Sequence, residues 1–198
     1  MKIVHFSDWH GRWQKLPDAD LYVCTGDMLP NTKACFWEDK EPERLMQAAW
    51  LKAHPIALKA PVMIVRGNHD YIDLTPLFEA PLVVEFKDKP FSFRYDGILF
   101  GGFRGVLPIA DTWADEISDG QIAHRAQVLG MVDVLLTHCP PRGGLDNEYG
   151  SESLRNYLDF NVGTVAHLFG HVHESAGMEH RCRTLLSNAA CQVNEIEI

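Results

Sequence analysis

Basic residues are in short supply in this chain: 18 lysines and arginines stand against 27 aspartates and glutamates, a formal net charge of −9. Proteins that track a nucleic-acid backbone carry a basic stripe, because neutralising phosphates releases counterions. Here no Lys/Arg cluster exceeds a pair. A small substrate is therefore expected rather than a long nucleic-acid polymer, unless bound metal ions reverse the charge locally. Apolar runs of bilayer-spanning length are also missing, and the opening MKIVHFSDWHG lacks the cationic-then-apolar order of a signal peptide. The expectation is a cytoplasmic protein with no membrane partner. Cysteine is sparse and unpatterned. Cys24, Cys35, Cys139, Cys182 and Cys191 are odd in number, far apart and without a C-x-x-C pair, which argues against a disulfide framework or a zinc knuckle. Cys24, inside LYVCT, reads as a small core residue. Cys139 follows a histidine but has no separate base to make it a nucleophile. Repeats, linkers and low-complexity segments are absent too, and 198 residues with 46% apolar and 23% charged content suit one folded domain over residues 1–198.

Short apolar runs are plentiful. KIVHF (2–6), LYVCT (21–25), VMIVR (62–66), ILFGGF (98–103), VDVLLT (132–137) and VAHLF (165–169) are strand-length and too continuous for a one-faced helix, so they read as buried strands. LVVEF (82–86) and FSFRY (91–95) flank KDKP, which reads as a hairpin turn, and TLLS (184–187) and QVNEIEI (192–198) as closing strands. Helices are expected over 43–54, with Leu45, Ala48, Ala49 and Leu51 on one face before Pro55, over 117–131, interrupted by Gly120, and over 151–161, opening on a capping serine and closing before Gly163. The alternation of strand and helix implies a layered α/β domain.

Five of these strands end in polar punctuation: KIVHF in SDWHG, LYVCT in GD, VMIVR in GNHD, VDVLLT in HCPP and VAHLF in GHVH. In an α/β sheet, ligands gather beyond the carboxyl ends of strands, so these clusters should converge on one rim. Asp8 and His10, and likewise His171 and His173, stand two apart, which directs both side chains of an extended pair to one side. Gly26, Gly67 and Gly170 directly precede candidate ligands, where a turn needs positive φ or close backbone approach. Imidazoles mixed with carboxylates suit divalent transition metals. Seven candidates, Asp8, His10, Asp27, Asn68, His138, His171 and His173, exceed one tetrahedral zinc and suit two ions sharing a bridge.

The series Asp8-x-His10, Gly26-Asp27, Gly67-Asn68-His69-Asp70, His138 and Gly170-His171-x-His173 resembles the signature of the calcineurin-like metallophosphoesterases, with all five blocks in order over residues 8 to 173. LLTHCPPRGGLDN, HLFGHVHE and LLSNAACQVN further resemble the small metallophosphodiesterase branch related to class III cyclic-nucleotide phosphodiesterases. The resemblance implies a four-layer α/β/β/α sandwich of two mixed sheets flanked by helices, with the metal site at the C-terminal ends of strands. It implies two divalent ions, manganese first, with iron, zinc, nickel, cobalt or magnesium as alternatives. Asp8, His10, Asp27 and His173 would hold one ion and Asp27, Asn68, His138 and His171 the other, Asp27 bridging. Hydrolysis of a small phosphodiester such as a cyclic nucleotide would then proceed through a hydroxide bridging the ions, with His69 as general acid oriented by Asp70.

The rival activities are a phosphomonoesterase or protein phosphatase, a nuclease, and a non-catalytic docking module on the same fold. Arg142, and after it Arg66 and Arg104, are candidates to clamp phosphate. Trp9, Tyr71 and residues 145–149 are candidates to line a base or aryl pocket. His5, His54, His124, His167 and His180 are read as core or surface histidines.

Overall fold

Alternation along the short apolar runs sets the layers. In β1 (Lys2–Phe6) Ile3 faces one way and Val4 and Phe6 the other, and in β2 (Leu21–Cys24) Leu21 and Val23 alternate with Tyr22 and Cys24, as the period of two in extended chain requires. The computed structural model describes the backbone of residues 1–198 and every side chain except that of Ala34. After β2 come α1 (Glu41–Ala53), β3 (Ile56–Ala57), β4 (Val62–Val65), β5 (Phe78–Glu79), β6 (Val83–Phe86), β7 (Phe91–Tyr95) and β8 (Ile98–Gly102). Then follow α2 (Asp119–Leu129), β9 (Val134–Leu136), α3 (Glu152–Phe160), β10 (Ala166–Phe169), β11 (Gly177–Arg181), β12 (Thr184–Asn188) and β13 (Val193–Glu197).

One sheet has the order β13-β1-β2-β4-β6, with β13 antiparallel and the other strands parallel. The second has the order β11-β12-β10-β9-β8-β7, with both outer strands antiparallel, and β3 and β5 form a small parallel pair. The two large sheets pack face to face: Ile3, Val23, Met63 and Phe86 meet Phe100, Val134, Leu136 and Leu168. On the outer side of the first sheet, Val4, Phe6, Val62 and Ile64 pack with Leu51 of α1 and with Leu74, Leu77 and Phe78. On the outer side of the second, Leu135, Phe169 and Leu186 pack with Ile122 and Ala126 of α2 and Leu154 and Leu158 of α3. Each large apolar side chain buried this way contributes about 1.5–3 kcal/mol. The result is the expected four-layer α/β/β/α sandwich, and no helix is long and apolar enough to cross a membrane among the described residues.

Three details differ from the sequence reading. KDKP is not a hairpin turn, because β6 pairs with β4 in the first sheet while β7 pairs with β8 in the second; KDKP carries the chain between layers. The hairpin is β7–β8, turned over Asp96 and Gly97, both at positive φ (48° and 81°), the backbone that Asp-Gly favours in a two-residue turn. In α1 the buried residues are Glu43, Gln47 and Leu51, while Leu45 is exposed. Gly120 does not interrupt α2 either. Ser118 accepts from the Gln121 N–H and the Gln121 side chain accepts from the Ser118 N–H, so a capping box starts the helix at Asp119 and leaves Gly120 in its first turn. His5 and His167 are core residues: His5 lies 2.8 Å from Ser187 Oγ and 2.9 Å from Thr25 Oγ1, and His167 lies 2.8 Å from Thr137 Oγ1. His54, His124 and His180 are exposed.

Candidate metal centre

The parallel strands end on a common rim. Asp8 follows β1, Asp27 follows β2, Asn68 follows β4, His138 follows β9 and His171 follows β10, with His10 and His173 two residues beyond Asp8 and His171. The ligand atoms of Asp8, His10 and His173 lie within 4.8 Å of one another, and so do those of Asp27, His138 and His171. Asn68 adjoins the second group, its Oδ1 3.1 Å from His171 Nδ1. The groups touch through His138, whose Nε2 is 3.1 Å from Asp27 Oδ2 and 4.0 Å from Asp8 Oδ1. All seven side chains singled out as ligands thus come together from five strand ends.

The backbone is forced to make this cluster. Asp8, His10, Asp27 and His171 have φ of 57°, 45°, 53° and 77°, a left-handed conformation that costs a residue bearing Cβ about 1–2 kcal/mol and persists only where the surroundings dictate it. They do so through hydrogen bonds: Asp8 N–H donates to Gly26 O at 2.9 Å, His10 N–H to Asp27 O at 3.0 Å, and His171 N–H to Asp8 Oδ2 at 3.0 Å. Close approach explains two glycines. A Cβ on Gly67 would lie 2.0 Å from Asp27 Oδ1, and one on Gly170 would lie 2.2 Å from Asp8 Oδ2.

The donor set fits a cation. His138 Nδ1 donates to Thr25 O at 2.5 Å, which leaves Nε2 buried, without a hydrogen-bond partner, and facing the Asp8 and Asp27 carboxylates. A neutral ring would turn its lone pair on two carboxylates, an arrangement that calls for either a proton or a metal ion between them. In the protein alone the proton supplies that charge: burial opposes it, but Asp27 and Asp8 raise His138 to about 10. Burial pushes the Asp8 and Asp27 carboxyls up, yet His138 together with His173 and Ser7 at Asp8, and with His69 and His10 at Asp27, holds both below the ordinary carboxylate value. Burial, with His138 adding to it, lowers His171 to about 4, so its imidazole is neutral and ready to ligate.

His69 stands at the edge of the cluster. Its backbone N–H donates to Asp27 Oδ1 at 2.7 Å and its ring Nε2 lies 4.0 Å from Asp27 Oδ2. Asp70 does not orient it. The Asp70 carboxylate accepts instead from the backbone N–H groups of Asp27, Met28, Leu29 and Gly67, at 2.6, 3.0, 3.1 and 3.2 Å, and so ties the Asp27 loop to the Gly67 loop. The side-chain amide of Asn31 faces His69 Nδ1 in Asp70's place. Gln47 reaches up from α1 to bond the His69 carbonyl at 2.7 Å and the Tyr71 N–H at 2.8 Å, and Glu43 accepts from the Thr32 N–H at 2.9 Å. Neither helical residue nor Asn31 carries a motif, and only the polarity of a buried helix face could have pointed to them.

Several candidates are elsewhere. Trp9 turns inward against Phe6, ring centroids 4.9 Å apart, and is only 2% exposed, so it is a core residue and not a wall for a base or aryl group. The Arg142 guanidinium is engaged by the Glu148 carbonyl of its own loop. Arg66 pairs with Asp115 at 3.1 Å, and Arg104 with both Asp88 and Asp115. Tyr71 is buried beneath Lys40. Cys139 is buried and its thiol is pushed up to about 12 by that burial, which suits a core residue and not a nucleophile. One residue missed by sequence reasoning is Trp113, whose ring lies 4.1 Å from that of His69.

Comparison with known proteins agrees with this geometry. The family model described as calcineurin-like phosphoesterase matches residues 1–175. Metallophosphoesterase domain-containing protein 1 of Homo sapiens is 37% identical over 233 residues, covering 98% of this chain and 67% of its own. A protein of Emericella nidulans named probable rhamnogalacturonate lyase C is 24% identical over 96% of this chain, yet the match spans only 18% of that relative's length. Among solved structures, a Staphylococcus aureus protein provisionally assigned as a 5′-nucleotidase superposes with a TM-score of 0.54 at 12% identity, over 98% of this chain and 50% of its own, a likeness of fold.

Proposed function

This chain belongs to the calcineurin-like phosphoesterase family, and from that premise we propose that it is a cytoplasmic phosphodiesterase that uses two divalent metal ions, manganese foremost, to hydrolyse a small phosphodiester. The observation that carries the reading is the double ligand cluster, Asp8, His10 and His173 beside Asp27, His138 and His171, with His69 at its edge. Asp8, His10, Asp27 and His173 would hold one ion and Asp27, Asn68, His138 and His171 the other. Divalent ions held there supply Lewis acidity, neutralising phosphoryl oxygens and acidifying water.

The chain's own residues account for the rest. His69 Nε2, at the edge of the cluster and facing Asp27, is the side-chain group placed to deliver a proton to the departing ester oxygen. Asn31 holds Nδ1. While Nε2 takes up and releases its proton, Nδ1 keeps its own and is a donor in both states, so the Asn31 amide meets it by presenting its carbonyl oxygen. The backbone bond from His69 to Asp27 keeps donor and ligand cluster in fixed register. A docking module on this fold would have no need of seven assembled ligands. The single-residue spacing of GNHD, with His69 directly after Asn68, is what puts a proton donor against a ligand.

The test is a panel of bis-p-nitrophenyl phosphate, p-nitrophenyl phosphate, 2′,3′- and 3′,5′-cyclic nucleotides and single-stranded DNA, with metal-stripped protein and after added manganese. Manganese-dependent turnover of the diesters is expected. Preference for the monoester would replace this reading with a phosphomonoesterase, the activity that the assignment of the Staphylococcus aureus structure favours. Inactivity on every substrate, with and without manganese, would overturn it.

A further inference from the structure

The rings around His69 form a file that runs outward from the ligand cluster. His173 and His10 have centroids 5.3 Å apart, His10 and His69 5.1 Å, His69 and Trp113 4.1 Å, and Trp113 and Phe36 5.2 Å. The first two members are candidate ligands and the third is the candidate proton donor; the last, Phe36, is 67% exposed. Large exposed apolar side chains of this kind, when grouped, mark binding surfaces.

Trp113 is held there. Its loop is closed at the base by the Val106 and Glu116 bridge and by the Val106 N–H donating to Asp115 O at 3.1 Å. The Ala114 N–H donates to the carbonyl of Asn68 at 3.0 Å, which fixes the residue beside Trp113 to a candidate ligand. Glu116 accepts from the N–H groups of Ile109, Ala110 and Trp113. The pinned Trp113 loop and the exposed Phe36 thus continue the line of the candidate proton donor into solvent.

We propose that Trp113 and Phe36 form a stacking platform for a planar aromatic leaving group, a nucleobase-bearing or aryl alcohol, and so set the substrate class of the site; this rests on the phosphoesterase reading above. An aromatic ring stacks on indole and phenyl faces through its quadrupole, and base–aromatic stacking tolerates any base because each has a π-face. The surroundings favour a substrate with little charge beyond the reacting phosphate. Asp111 and Glu116 lie in the Trp113 loop and Glu38 and Asp39 follow Phe36, while Arg66 and Arg104 are already paired with Asp115.

The test compares two methyl phosphodiesters matched in size and leaving-group acidity, one releasing benzyl alcohol and the other cyclohexylmethanol, with manganese-loaded protein. The parent should prefer the benzyl ester in kcat/KM. Trp113→Ala should lower that preference roughly five- to tenfold and Phe36→Ala roughly two- to fivefold, as aromatic pairing energies imply, with Trp113→Phe retaining most of it. Calorimetric binding of benzylphosphonate against cyclohexylmethylphosphonate gives the same comparison without turnover. If both esters are hydrolysed and the ratio ignores all three variants, the platform is refuted and the phosphoesterase reading stands. If neither ester is hydrolysed the phosphoesterase reading is in question, and equal binding of the two phosphonates to the parent refutes the platform on its own.

Discussion

At the scale of single residues, the candidate site divides by what each side chain touches. His69 touches a ligand but is not placed to be one, so His69→Ala should keep its metal and lose about 10²–10⁴ of turnover, read by metal analysis alongside kinetics. Metal lost in step with activity would show that His69 is a ligand. Asn31→Ala should lower kcat by about tenfold with KM and metal content little changed, most strongly with a poor leaving group; an unchanged kcat would remove Asn31 as its positioning residue. Asp70 belongs to another class. With four backbone N–H groups on its oxygens, Asp70→Asn leaves donors facing donors, at about 1–3 kcal/mol for each group unpaired. Urea unfolding of the metal-free variant measures that loss. Undiminished stability with lost turnover would return Asp70 to the role of partner to His69. GNHD alone could not separate these readings, since adjacency in sequence says nothing of which of two loops a carboxylate will tie.

At the scale of elements, the strand ends were legible and the helix face was not. GD, GNHD and GHVH announce themselves because a glycine and ionisable or amide side chains directly after an apolar run have no packing purpose. The face of α1 was misjudged because periodicity weighs apolar residues, whereas Glu43 and Gln47 are buried to satisfy loop backbone groups behind the site. Leu45→Lys should therefore change stability by no more than about 0.5 kcal/mol. Gln47→Leu should cost about 1–3 kcal/mol by stranding the His69 carbonyl and Tyr71 N–H. Equal effects in thermal or urea unfolding would contradict the face assigned here. The β7–β8 hairpin carried its own signal in Asp96-Gly97, which the more conspicuous KDKP masked.

At the scale of the whole molecule, two sheets close on each other with His5 in the layer between them and His167 on the outer face of the second. Burial lowers both to about 3, against 6.5 for the free ring. The unfolded chain thus takes up their protons first, so their contribution to stability is complete above about pH 6.5 and is lost as pH falls toward about 3. In metal-stripped protein the urea midpoint should drop through that window, and less steeply for His167→Gln; parallel curves would contradict the buried neutral ring. Strand and helix alternation implied a layered α/β domain and the family resemblance its four-layer order, but the left-handed backbone at Asp8, His10, Asp27 and His171 was invisible, because it arises only when loops distant in sequence press together. That pressing together is the central claim, and the metal content of the purified protein measures it most directly. After manganese loading and dialysis to equilibrium, mass-spectrometric metal counting should find two ions per chain in the parent, two in His69→Ala and neither in Asp27→Asn. One ion or none in the parent, or one retained by Asp27→Asn, would contradict the account.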